Sequence, residues 1–131
     1  MNNTTLSFPE TTLREVLGYT EEEVMVFLIV LKDDINWMKK NRPILLADIL
    51  AYTGIHEDEI LEAKHRRFNQ YLVREVYAPL TNSDRLRPIQ LILNTAARSG
   101  PSEAEQKETM ARIIEQVNQK FILPKAGEKT L

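Results

Sequence analysis

Six side chains able to bind metal or move protons crowd into ten residues: His56, Glu57, Asp58, Glu59, Glu62 and His65. Glu62 and His65 have the Glu-x-x-His spacing by which a carboxylate and an imidazole on one helix face project together toward a metal in dimetal bundles. Such a centre needs a second Glu-x-x-His and two further inward carboxylates. His56 is the only other histidine, and the apolar segment 24–38 offers no inward Glu. Glu62 also has Arg66 one helical turn away as an ion-pair partner. The ligand set is incomplete, and neither a metal nor any other cofactor is expected.

Hydrolytic and phosphate chemistry lack their linear signatures as well. The serines at 7, 83, 99 and 102 have no nucleophile-elbow context, and the four glycines stand isolated at 18, 54, 100 and 127. With no cysteine, disulfides, thiolate metal sites and cysteine nucleophiles are excluded. The chain reads as a non-enzyme.

The remaining chemistry is recognition. With 17 basic and 19 acidic residues the formal charge is -2, so no global field draws the chain to nucleic acid or anionic lipid, and any phosphate contact must use a local patch. Two stretches supply one: Lys39, Lys40 and Arg42, and then Lys64, Arg66, Arg67 and Arg74, with Gln70 able to address a base edge. Pro43 to Tyr77 reads as a short helix, a Gly-containing corner and a long second helix. Within it LADILAYTGIHEDEILEAKHRRF, Leu46 to Phe68, resembles the DNA-binding part of small bacterial or phage helix-turn-helix regulators, over less than a fifth of the chain. The resemblance implies that the helix after the corner enters the major groove. Glu57, Asp58 and Glu59 at its start repel phosphates, so contacts would come from the middle of that helix.

The elements that must position these residues are helical. A first helix is expected over about Pro9 to Leu17, with Leu13, Val16 and Leu17 on one face and Gly18 as its stop. Thr20 and Glu23 form a capping-box pattern opening a long core helix, along which Val24, Leu28, Leu31, Ile35 and Met38 recur while Phe27, Val30 and Trp37 widen the apolar surface. A helix over Pro43 to Tyr52 turns Ile44, Ala47 and Leu50 or Ala51 inward, with Leu45, Leu46 and Ile49 as surplus. Gly54 permits a positive φ at the corner. The next helix runs to about Tyr77 with Leu61, Phe68, Leu72 and Val76 inside and Ile60 broadening that line. Pro88 fits the first turn of a helix from Arg87 to Arg98, and Ser102 with Glu105 caps a last helix through Met110, Ile113, Ile114, Val117 and Phe121.

No hairpin signature is present. The expected fold is all-α, a compact bundle of five to six helices without a wing, as a single domain over 1–124 followed by a flexible tail at 125–131. MNNTTLSFPE does not read as a secretory signal, and the longest apolar run, Val24 to Leu31, falls short of the roughly 20 residues of a spanning helix. A cytoplasmic protein without membrane contact is expected. The surplus apolar positions favour a protein-interaction or oligomerisation module with an accessory or regulatory role, its partner another protein or a second copy. Trp37, Tyr71, Tyr77 and Phe121 are the candidate interface anchors. The alternative is a helix-turn-helix regulator that binds duplex DNA through residues 44–77.

Overall fold

The computed structural model describes residues 11–65 and 84–122, and it is all-α: among the described residues there are seven α-helices and no strand. No described helix is long and apolar enough to cross a membrane. The first helix, α1 (Leu13–Leu17), is shorter than the sequence suggests. Thr12 rather than Pro9 opens it, because Thr12 and Glu15 form a capping box that fixes Thr12 in an extended conformation. Leu13 is buried and Gly18 closes the helix at φ 68°, but Val16 faces outward.

Thr20 and Glu23 cap α2 (Glu21–Val30). This helix is apolar on all sides and buried on nearly all, with Val24, Val26, Phe27, Leu28 and Ile29 inside. The expected long helix stops here. Leu31, at φ -97° and ψ 18°, ends α2 and opens α3 (Lys32–Asn41). It keeps the hydrogen-bond relay, since its N–H donates to the Phe27 carbonyl at 2.8 Å and its carbonyl accepts from Ile35 at 3.0 Å. The break follows the change of environment: α2 is immersed in the core, whereas α3 buries only Ile35 and Met38 and, as an element, packs on α4 and α2. The β-branched pair Ile29 and Val30 before the break and Asp33 and Asp34 in the first turn after it suit a helix end and a new helix start.

A single residue, Arg42, joins α3 to α4 (Pro43–Thr53). The buried face of α4 is Leu45, Leu46, Ile49, Tyr52 and Thr53; Ile44 and Ala47, expected inside, are exposed, and of the alternatives Leu50 and Ala51 the first is half-buried against the core and the second exposed. Two apolar stripes compete on this helix, and the stripe of bulkier side chains removes more area from water than one containing two alanines. α5 (Glu57–His65) packs on α2 through Ile60 and Ala63, and Leu61, expected inside, is exposed. Small Ala63 at this contact allows close approach of the two helices.

Pro88 lies in the first turn of α6 (Arg87–Ala97), which buries Ile89, Ile92, Leu93 and Ala96. Ser102 and Glu105 cap α7 (Glu103–Val117), with Met110, Ile113 and Val117 inside. α6 and α7 pack as a pair, α4 lies on α7, and a π-helical turn at Asn118–Ile122 extends α7.

A residue outside every sequence motif ties the start of the chain to α6. Arg85 pairs with Glu23 through Nε and Nη2, both at 2.8 Å. It also donates to the carbonyls of Leu17 at 2.8 Å and Gly18 at 3.0 Å. Its guanidinium lies 5.1 Å from the Tyr19 ring centroid, and the Tyr19 hydroxyl donates back to the Arg85 carbonyl. The otherwise unsatisfied C-terminal carbonyls of α1 are thereby used as acceptors.

Candidate functional site

The candidate recognition residues fall at two corners. At the α4–α5 corner, Gly54 adopts φ 85°, and its N–H donates to the Leu50 carbonyl at 2.9 Å. Only Gly54, Ile55 and His56 separate the helices, a Gly-containing corner of three residues. The acidic start of α5 is partly used for architecture. Glu59 accepts the His56 N–H at 3.0 Å and pairs with Arg14 of α1 at 2.9 Å, while Arg14 also reaches the Gly54 carbonyl at 3.2 Å. Glu57 and Asp58 stay exposed. Lys64 is half-buried; Arg66, Arg67, Gln70, Tyr71, Arg74 and Tyr77 lie outside the described residues. Among the described residues no three His, Asp or Glu side chains converge as metal ligands.

The α3–α4 corner gathers residues that the sequence divided between two readings. Arg42 reaches across to the turn after α6: Nε donates to Ser99 Oγ at 3.3 Å and Nη2 to the Ser99 carbonyl at 3.1 Å, while Nη1 donates to Asn41. The same guanidinium lies 5.5 Å from the centroid of the Trp37 ring. Asn41 donates its side-chain amide to the Trp37 carbonyl at 2.9 Å. Arg42 is therefore a half-buried cross-link, with much of its donor capacity spent inside the protein, and Lys39 and Lys40 remain exposed beside it.

Trp37 is 42% exposed and Ile44, two residues past Arg42, is 53% exposed. They stand out because the other large apolar side chains of α3 and α4, such as Ile35, Met38, Leu45 and Ile49, are buried. A planar cation held by Ser99 thus lies over the indole face. Exposed Asp33 and Asp34 begin α3, and exposed Lys39 and Lys40 end it.

Phe121, the remaining aromatic candidate, is half-buried against the core. It borders a cavity of about 360 Å3 that also meets Tyr19, Arg85, Arg87 and Lys120. Two of those cations are already engaged, Arg85 by Glu23 and Arg87 by Asp84 at 3.4 Å. Trp37 and Arg42 stand out in the sequence, but nothing there joins Arg42 to Ser99, 57 positions away. No protein-family model, curated protein or solved structure matches the chain, so the functional reading rests on the chemistry of its own residues.

Proposed function

We propose that this chain is a non-enzymatic protein-interaction module that presents the α3–α4 corner, Trp37 with Arg42 and Ile44, to a protein partner. The supporting observation is the exposed Trp37 ring held against an Arg42 guanidinium that is itself anchored on Ser99. Trp and Arg dominate the energetic centres of protein interfaces, and an aromatic side chain that is already positioned loses little conformational entropy on binding. Photo-crosslinking tests the reading: a photoreactive residue at position 44 in the producing cells is expected to capture protein, and Trp37→Ala to abolish the capture. A reactive residue at exposed Glu108 serves as control. Adducts equally abundant from both positions, or none from position 44, would sink the reading.

The Gly54 corner favours a second reading, duplex-DNA recognition through α5. On that reading, binding to mixed short duplexes falls steeply with salt and is lost when Arg66, Arg67 and Arg74 are changed to Ala. Exposed Glu57 and Asp58 weigh against it, even with Glu59 neutralised by Arg14.

A further inference from the structure

The exposed face of α3 is ordered in charge along its length. Asp33, Trp37 and Lys40 follow at spacings of four and three, so they share one stripe opposite buried Ile35 and Met38. Asp33 and Lys40 are two turns apart, roughly 10 Å along the axis, too far to pair with each other. Neither forms an ion pair or hydrogen bond through its side chain among the described residues. The stripe thus carries a carboxylate, an indole and an ammonium, each facing outward.

We propose that a second copy of this chain docks antiparallel on the exposed face of α3, about a two-fold axis passing between Asn36 and Trp37; this rests on the interaction-module reading and names its partner. A two-fold contact must be self-complementary, and the stripe satisfies that condition in one orientation only. With the helices antiparallel, Asp33 faces the partner's Lys40 and Lys40 faces the partner's Asp33, while the two indoles meet near the axis. With the helices parallel, carboxylate would face carboxylate and ammonium would face ammonium, which opposes association. Trp37 supplies the apolar centre and the paired charges form the rim. A ten-residue helix is only about 15 Å long. The contact is small, and the dimer is weak and reversible, with a Kd of roughly 10–100 μM.

Sedimentation equilibrium with charge reversal tests the arrangement. Asp33→Lys and Lys40→Asp each set like charges opposite one another in a self-pair, and each should weaken association roughly tenfold or more. Mixed in equal amounts, the two variants regain both opposite-charge pairs and should associate about as the wild type does. Both positions are exposed, so far-UV circular dichroism is expected to stay unchanged. A wild-type chain that is monomeric up to about 1 mM, or reversals without effect, or a mixture that does not recover, overturns the dimer. Crosslinks from position 44 to a different protein would then leave the interaction-module reading standing; their absence would remove both.

Discussion

Glu23 does two jobs with one carboxylate. Its Oε1 caps α2 by accepting the Thr20 N–H at 2.9 Å, and both oxygens receive Arg85. The Arg85 hydrogen bonds hold its pKa down at about 2 against an ordinary 4.5; burial opposes them, and the Thr20 contacts add to the lowering. A folded-state pKa below the unfolded one means that the unfolded chain takes up protons more readily. The stability from this pair is therefore fully present above about pH 4.5 and is lost as pH falls toward 2. Urea denaturation across that window should show the wild type losing stability on acidification. Glu23→Gln should already be less stable at neutral pH and should vary less across the window; an unchanged pH slope would count against the pair. Tyr19 beside it is pushed the other way, its hydroxyl raised chiefly by burial, so it stays neutral and keeps donating to the Arg85 carbonyl.

At the scale of elements, the corners decide the shape. Gly54 is both left-handed and closely covered: a Cβ there would lie 2.6 Å from Thr12 Oγ1 and 2.8 Å from Thr12 Cβ. Thr12 is the cap of α1, so one substitution strains the α4–α5 corner and displaces α1 together. Gly54→Ala should cost about 1–3 kcal/mol in chemical denaturation. Combined with Thr12→Gly, the total should fall short of the sum of the single losses, because the clash is shared. This corner was legible in the sequence because Gly54 interrupts a helical pattern, and the caps at Thr20 and Ser102 and the position of Pro88 were legible for the same local reason. The inward face of α4 was not. Ile44, Leu45, Leu46, Ile49 and Leu50 leave its periodicity ambiguous, and only the neighbours packed against it select Leu45, Ile49 and Tyr52. The break at Leu31 was hidden for a similar reason, since apolar spacing continues across it while α3, unlike α2, buries only Ile35 and Met38. The candidate site was half visible: Trp37 and Arg42 stand out as residue types, whereas their joining through Ser99 depends on the tertiary fold.

At the scale of the whole molecule, a protein with stability of roughly 5–15 kcal/mol cannot spare a core aromatic, yet it can spare one kept at its surface for binding. Phe27 is fully buried in α2, edge-on to Tyr19 with ring centroids 5.1 Å apart. Phe27→Ala should cost about 3–5 kcal/mol, enough to leave the chain marginal. Trp37 is 42% exposed, so Trp37→Ala forfeits the cation–π stack, about 0.5–1 kcal/mol, together with the part of the indole that is covered, and should cost clearly less than Phe27→Ala. Denaturation of dilute protein, where self-association is negligible, should separate the two variants clearly. Sedimentation at high concentration should then find Trp37→Ala folded but monomeric. A Trp37→Ala chain as unstable as Phe27→Ala would make the indole part of the core and remove the basis for treating the α3–α4 corner as a binding surface. A folded variant that no longer associates would mean that this bundle keeps one of its largest apolar side chains at the surface for a partner.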